Sequence, residues 1–324
     1  MEKSISKQGQ QTGSPMSKQG QQTKSPMNEQ GQQAGSSICI HRRRPTDMIL
    51  YVLIYLCAAL AVGMLAGIIL YVFYRGIKIV DWNFLTQTDS VLKGTVGIAG
   101  NILNTLYIIV ITMLIATPLG IGAAIYLNEY AKPGRLVSLI EFATETLAGI
   151  PSIIFGVFGF AVFSTLIGSA YSILSGSLTM SILILPLITR NTQEALKTVP
   201  DSYRSGAVGL GAGKWHMIRT ILLPSAMPGI ITGVILAIGR IVGESAALVL
   251  TAGSAYFLPS GTLESYWDKI TQSGGTLTIQ LYLKATYGDF DEAFGIALVL
   301  LVIVLFINFL TKWLAKRFNV ETRE

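Results

Sequence analysis

The chain has 324 residues, of which 51% are hydrophobic and only 13% are charged. Soluble domains carry about 25% charged residues, so this composition excludes a soluble enzyme with one core and indicates a membrane protein with several spans. The formal charge of +6 does not indicate nucleic-acid binding, because residues 1–44 alone hold seven Lys or Arg against two Asp or Glu, and no basic face interleaved with aromatic residues is present.

The N-terminal 44 residues contain an internal repeat of eleven residues. SKQGQQTGSPM at 6–16 is followed by SKQGQQTKSPM at 17–27 and by a partial third copy at 28–36. A segment so rich in Gln, Gly and Ser buries too little apolar surface to offset its ordering entropy. We therefore predict a disordered tail at 1–44, followed by a first span and its loop at 45–94.

Six apolar stretches follow the tail, and each is close to or above the roughly 20 residues that a helix needs to cross a bilayer. The sequence therefore predicts an all-α fold, a polytopic membrane bundle of six transmembrane helices. The six stretches lie near 49–74, 101–127, 146–167, 171–189, 225–251 and 293–315.

Lysine and arginine are unevenly distributed among the connecting segments. The segments at 75–100, 168–170 and 252–292 together hold five Lys or Arg against seven Asp or Glu. The other connections and both chain ends carry the clusters of Lys and Arg, and such clusters stay on the cytoplasmic side of a membrane. We therefore predict that both termini and the loop at 190–224 are cytoplasmic.

A polar and basic segment, EALKTVPDSYRSGAVGLGAGKWHMIRTILLP at 194–224, separates the fourth and fifth apolar stretches. Its pattern predicts a helix with Asp201–Ser202 as N-cap candidates, a break at Gly211, and a second amphipathic helix that ends at Pro224. Two short helices around a glycine turn have a shape that fits a groove on a partner protein. The alternative is a loop that only covers the end of the bundle.

Several segments resemble the permeases of ABC transporters. The spacing within 205–224 is similar to their EAA loop, and GIPSIIFG at 149–156, LPLITRNTQEALKTVPDSYR at 185–204 and GRIVGESAALVLTAG at 239–253 resemble the phosphate-specific PstA permeases. The resemblance implies the type I ABC importer permease fold, as in MetI-like proteins, over residues 95–320. It also implies that the loop at 194–224 couples to an ATPase through Ser205, Gly206, Ala207, Gly211, Ile221, Leu223 and Pro224. The family pattern has an acidic residue followed by Ala where this chain has Ser205 and Gly206.

The resemblance further implies a permease subunit of an ATP-driven importer of inorganic phosphate, in the plasma membrane of a bacterium or archaeon. Its partners would be the homologous permease PstC, a dimer of the ATPase PstB and the external phosphate-binding protein PstS, besides membrane lipids and without nucleic acid. We expect no cofactor on this chain, because ATP and Mg²⁺ would be used by the ATPase. The dipeptide Gly213-Lys214 lacks the Gly at 208 and the Ser or Thr at 215 that a Walker motif needs.

Two charged residues lie inside the fifth apolar stretch. Arg240 and Glu244 are four residues apart, so we expect them to share one helix face. Each costs about 2.5–3.5 kcal/mol at the centre of a lipid-exposed helix, so they should pair or face the bundle interior. An arginine fork suits phosphate oxygens, and a structural ion pair is the alternative. The resemblance implies a role in phosphate passage for Arg240 and Glu244, and we assign Arg190 to the same predicted translocation pathway.

Other functions are alternatives to a phosphate importer permease. A permease for sulfate or molybdate, or the sister phosphate permease PstC, would share the fold. A secondary transporter usually carries inverted repeats, and none is recognised in the sequence. An integral-membrane enzyme would need a reactive polar cluster, which the sequence does not show, and a scaffold would act through its N-terminal tail.

Overall fold

The computed structural model describes residues 45–90, 94–168, 170–259 and 261–318. The predicted tail at 1–44 lies outside these residues. The chain divides into two compact units, residues 1–59 and residues 60–324. Of the first unit, residues 45–59 are described and are helical throughout. All contacts discussed below lie within the second unit.

Helices form nearly all of the regular structure in the described residues. The α-helices are α1 Pro45–Gly76, α2 Trp82–Thr86, α3 Ala99–Ile125, α4 Arg135–Gly149, α5 Ser152–Gly159, α6 Thr165–Ile167, α7 Ile173–Lys197, α8 Asp201–Gly209, α9 Lys214–Met217, α10 Leu223–Gly243, α11 Ala246–Thr251, α12 Leu263–Thr271, α13 Leu277–Tyr287 and α14 Phe290–Phe318. Wider π-helical turns lie at Tyr126–Tyr130, Phe160–Ser164 and Ile218–Leu222. A small hairpin pairs β1, Thr88–Ser90, antiparallel with β2, Thr95–Ile98.

Five helical stretches in the described residues are long and apolar enough to cross a membrane. They are Met48–Gly76, Ala99–Tyr130, Ile173–Lys197, Lys214–Gly243 and Phe290–Trp313. A sixth span results if the bent pair Arg135–Gly149 and Ser152–Ile167 is counted as one. The structure thus confirms an all-helical membrane bundle with five or six spans.

The predicted third stretch, 146–167, is not one straight helix. α4 ends at Gly149, α5 begins at Ser152, and the two meet at an angle of 101°. Pro151 at the junction has no N–H to continue a helix, and it favours extended backbone in the residue before it. Ile150 accordingly has φ −72° and ψ 133°. Residues 146–149 therefore belong to α4.

The centre of the bundle is formed by α3, α7 and α10. Ile108, Ile184 and Ile241, one from each of these helices, are fully buried in the same apolar cluster. α5 packs against this centre through glycines that allow very close approach. A Cβ atom at Gly159 would lie 2.0 Å from Oγ1 of Thr179 on α7, which no side chain can do without moving the helices.

The bundle has two ends, which we name by their connections. The loop end carries the connection between α7 and α9 at residues 198–213, and the hairpin end carries β1 and β2 at residues 88–98. α3 and α14 begin at the hairpin end, α7 runs toward the loop end, and α10 runs away from it. This arrangement follows from the contacts of Lys284 in α13 with Asp89 and with Glu292 of α14, and from the contact of Arg204 with Glu129, described below.

Lys284 on α13 anchors the hairpin end. Its Nζ lies 3.0 Å from Oδ2 of Asp89 in β1 and 2.6 Å from Oε2 of Glu292 in α14. Burial lowers the pKa of the Lys284 ammonium, but its hydrogen bonds to Glu292 and Asp89 and the negative charges of these two residues together outweigh burial and raise the pKa. One charge therefore ties the hairpin, α13 and α14 together.

Replacing Lys284 with Met should lower the free energy of local unfolding at the hairpin end by about 3 kcal/mol, because Asp89 and Glu292 would be left partly buried without a cation. Hydrogen exchange of the β1 and β2 amides measures the effect, and exchange should become faster than in the wild type. Because the pKa of Lys284 is raised, the wild-type contribution is complete below the usual lysine pKa and is lost as pH rises through the raised value. The exposed Lys78, replaced with Met, is the control, and equal exchange in both variants would contradict the prediction.

Candidate functional site

The loop at residues 198–213 forms the predicted pair of short helices. α8 and α9 are joined at Gly211, whose φ of +78° is the left-handed conformation that favours glycine. The N-cap of α8 is Pro200, which offers no side-chain hydrogen bond. Asp201 is the first helical residue, so the prediction of Asp201–Ser202 as N-caps is wrong.

The second helix of the loop does not end at Pro224. α9 continues through the π-helical turn at 218–222 into α10, so residues 214–243 form one continuous helix. In the wide turn the Leu223 N–H donates to the Ile218 carbonyl. Pro224 has no N–H, and it directly follows this wide turn, where the regular bonding of residue i to residue i−4 is already interrupted. A proline that follows a wide turn therefore does not stop this helix.

The seven predicted coupling residues lie in two environments. Ala207 is buried in an apolar cluster with Leu196, Met217 and Leu222, and this cluster holds the loop against the bundle. Ile221 and Leu223 pack against the same cluster and are half-buried, whereas Ser205, Gly206, Gly211 and Pro224 are exposed. A Cβ atom at Gly206 would meet no atom within 4 Å. The exposed members are therefore free to contact another protein, and their coupling role stays a prediction.

The loop also exposes four large apolar side chains, Tyr203, Val208, Leu210 and Trp215. We name these four residues the apolar loop surface. Leu210 is 92% exposed, which is unfavourable for a leucine in water. Exposed groups of large apolar side chains are typical of sites that bind another protein.

Arg204 is the main polar anchor of α8. Its Nη2 donates to Oε1 of Glu129 at 3.0 Å and to the Leu196 carbonyl at 2.9 Å, and its Nη1 donates to the Val199 carbonyl at 2.9 Å. The Glu129 side chain is only 6% exposed. The sequence indicated Arg204 only as one of the loop's positive charges, because nothing local shows that its partner lies 75 residues earlier.

Arg190 and Arg240 line one cavity of about 220 Å³ between α4, α7 and α10. Thr144 and Glu145 supply its other polar side chains, and the rest of its lining is apolar. Nη1 of Arg190 lies 3.6 Å from Oε1 of Glu145, and its Nε lies 3.3 Å from Oε1 of Glu194. The structure thus brings together two of the three residues predicted for the pathway.

The two arginines lie at different depths along the bundle. α7 and α10 run in opposite directions, and Gly233 lies against Asn191. Arg240, seven residues further on, is therefore level with Ile184 in the middle of α7. At 1.5 Å per residue this is roughly 9 Å from the level of Arg190. A second, charged cavity of about 230 Å³ shares Arg190 and continues from there to Lys197.

Glu244 does not share a helix face with Arg240, so that prediction is wrong. α10 ends at Gly243, and Glu244 has extended backbone with ψ 125°. Its Oε1 accepts a hydrogen bond from the Ala247 N–H at 3.2 Å, which caps α11, and the residue is only 7% exposed. Among the described residues no ion pair within 4.0 Å joins Arg240 to Glu244. Residues four apart face each other only within an unbroken helix. Here α10 ends at Gly243, and Glu244 caps the next helix, α11.

Glu145 is the residue of this site that the sequence did not indicate. It lies on α4, just before the predicted third stretch at 146–167. The signal was an acidic residue beside an apolar stretch, which is too common to point to a site. In the part of the chain that the structure describes, no group of three or more His, Cys, Asp or Glu side chains is placed to hold a metal ion.

Comparison with known proteins shows the family of this chain. The model of the family described as "Binding-protein-dependent transport system inner membrane component" matches residues 116–323. A probable ABC transporter permease of Bacillus subtilis, YqgI, is 34% identical in an alignment of length 285 that covers 84% of this chain and 96% of that protein. The phosphate transport system permease protein PstA 2 of Mycobacterium bovis is 31% identical over 278 residues, 86% of this chain and 91% of that protein.

Solved structures show the same fold. A chain of a bacterial alginate ABC transporter superimposes with a TM-score of 0.60 at 15% identity, over 85% of this chain and 96% of that one. A chain of the MetNI methionine ABC transporter, in an inward-facing conformation, superimposes with a TM-score of 0.52 at 19% identity, over 68% of this chain and 94% of that one. The chain therefore belongs to the family of binding-protein-dependent transport system inner membrane components, and within that family it is a PstA-like ABC permease.

Proposed function

We propose that this chain is a transmembrane permease subunit of an ATP-driven importer of inorganic phosphate. The observation that carries the proposal is the cavity that Arg190 and Arg240 share. The cavity offers an anion two guanidinium groups against one carboxylate, Glu145, in an otherwise mostly apolar wall. The similarity to permeases named for phosphate transport favours phosphate among the oxyanions.

The two arginines would act in sequence along the bundle. Arg240 is exposed in the single chain, and the adjacent positions Gly239 and Gly243 have open space where a side chain would be. An arginine at the level of the middle of α7 is costly if it faces lipid, so this face should border a water-filled pathway completed by a second permease. A phosphate released by Arg240 would meet Arg190 roughly 9 Å closer to the loop end.

Carboxylates would keep the ion from being trapped. Glu145 and Glu194 both lie within ion-pair distance of Arg190, and these exposed pairs are weak. They would hold the guanidinium when phosphate is absent and compete for it when phosphate is present. Glu244 would have a structural role in the pathway, because it fixes the break that ends α10 just beyond Arg240.

The loop at 194–224 would dock on a separate ATPase subunit. Its helix pair exposes the apolar loop surface, which offers the contact area. We therefore infer that the complex contains this chain, a homologous permease of the PstC type, an ATPase dimer of the PstB type and an external binding protein of the PstS type. In this assembly ATP and Mg²⁺ are bound by the ATPase, and both chain ends and the loop lie in the cytoplasm of a bacterial or archaeal cell.

The test is uptake of radiolabelled phosphate by the purified complex in lipid vesicles. Uptake should require ATP on the ATPase side and the binding protein on the other, and excess sulfate or molybdate should not compete. Competition by sulfate or molybdate would assign the permease to that oxyanion instead. Phosphate uptake by this chain alone, without an ATPase, would identify a secondary transporter and refute the proposal.

A further inference from the structure

We name the loop at 194–224 the coupling loop. Both of its helices, α8 and α9, contact the π-helical turn at Tyr126–Tyr130. From α8, Arg204 donates to Oε1 of Glu129 through Nε at 3.3 Å and through Nη2 at 3.0 Å. From α9, the Lys214 ammonium lies 4.9 Å from the centre of the Tyr130 ring. The turn directly continues the α3 span. Glu129 and Tyr130 therefore connect the loop to a membrane helix that is remote from it in sequence.

The Arg204 guanidinium is also bonded to the end of α7. It donates to the carbonyls of Leu196 and Val199, and its own side chain is 21% exposed. A guanidinium has five donors in a rigid, planar fork, and here the fork spans α8, the end of α7 and the turn after α3. Lysine has one rotating ammonium and cannot hold this geometry.

Besides the bonds of Arg204, α8 is held by its part in the apolar cluster. Ala207 is its one buried residue, and the remaining residues of the helix are half-buried or exposed. An alanine contact resists separation weakly and has no preferred direction. The bonds of Arg204 are directional, and Glu129 is almost completely screened from water. Arg204 and Glu129 therefore form a directional contact between α8 and the turn after α3, beside the apolar contact that the cluster around Ala207 makes with α3.

We infer that Arg204 and Glu129 are positioning residues that transmit movement of the coupling loop to the α3 span. The inference rests on the proposed function, in which an ATPase moves the loop. Arg204 would act within the permease and would not touch ATP or phosphate. Losing the link should separate ATP hydrolysis from transport while the ATPase stays bound.

The test uses the complete complex in lipid vesicles, with ATP hydrolysis and phosphate uptake measured in the same preparation. In Arg204→Lys and in Glu129→Gln, hydrolysis should stay within about twofold of the wild type, while phosphate imported per ATP should fall at least about fivefold. Asp201→Asn is the matched control. Asp201 also contacts Arg204, at 2.9 Å, but its side chain is 97% exposed, so its loss should leave the ratio unchanged.

A second measurement does not depend on the transported ion. Hydrogen exchange in the wild-type complex should change on ATP addition both in α8 and in residues 120–130. In Arg204→Lys the change in α8 should remain, and the change in 120–130 should disappear. Wild-type exchange that responds to ATP without phosphate uptake would refute the proposed substrate and leave the link intact.

Three results would overturn the inference. One is ATP hydrolysis and phosphate uptake that both stay at the wild-type level in both variants. Another is a proportional fall of hydrolysis and uptake, which indicates a purely structural role. The last is failure of both variants to bind the ATPase, because Arg204 would then only shape the docking loop.

Discussion

Replacing Arg240 with Gln should reduce ATP-driven phosphate uptake at least about tenfold. A hydrogen bond to a charged group contributes about 1.5–3 kcal/mol, and 1.4 kcal/mol corresponds to a factor of about ten. Gln keeps a shorter polar donor but removes the charge that attracts the anion into the cavity. Arg190→Gln should have an effect of the same size, because both arginines line the same cavity.

The control for Arg240→Gln is Arg135→Gln. Arg135 is exposed at the start of α4 and does not line the cavity, so this change removes an equal charge without touching the pathway. Uptake by the Arg135 variant should match the wild type at every phosphate concentration. If Arg240→Gln also transports normally while the complex remains assembled, the cavity is not the phosphate pathway.

The spans were largely predictable because apolar composition is a local property. The stretches near 101–127 and 293–315 lie within helices of the structure. The break after Gly243 was not predictable, since the apolar stretch resumes at Ala246 after only two polar residues. It depends on the Glu244 carboxylate accepting from the Ala247 N–H, a contact that exists only once the chain has turned.

The sequence predicts only that a bend occurs between α4 and α5, not its angle. Pro151 signals a kink or a hinge, but the angle of 101° is set by where α5 can pack. Gly156 allows α5 to lie directly on Ala247 of α11, and Gly159 allows it to lie on Thr179 of α7. Such tertiary contacts leave no periodic signal in a single sequence.

The sequence identified the arginines of the candidate site, but it did not predict which side chains would lie together there. Arg190 and Arg240 were chosen because charges inside apolar stretches are costly. Their common cavity follows from the antiparallel packing of α7 and α10, which residue spacing does not reveal. The acidic partner was assigned to Glu244 by a spacing rule, whereas the carboxylate that lines the cavity is Glu145. The Arg204–Glu129 contact was missed for the same reason, since its two residues lie on separate elements.

Replacing Leu210 with Asp should weaken binding of the ATPase by about 30-fold. Leu210 is 92% exposed, so the change removes no contact within the chain and leaves its fold intact. If the apolar loop surface docks on the ATPase, the new carboxylate would be buried there without a partner. Loss of a central interface residue costs about 2 kcal/mol or more, which corresponds to the stated factor. The measurement is the affinity of the detergent-solubilised permease complex for its ATPase.

The matched control for Leu210→Asp is Leu258→Asp, the same substitution at an exposed leucine of the hairpin end. This variant should bind the ATPase as the wild type does, because the ATPase is expected at the loop end alone. Hydrogen exchange of α7 and α10 should be unchanged in both variants, which separates a docking defect from unfolding. Equal ATPase affinity in the two variants would place the docking surface elsewhere on the chain. It would then restrict the coupling role to the exposed residues outside the apolar loop surface, Ser205, Gly206 and Gly211 among them.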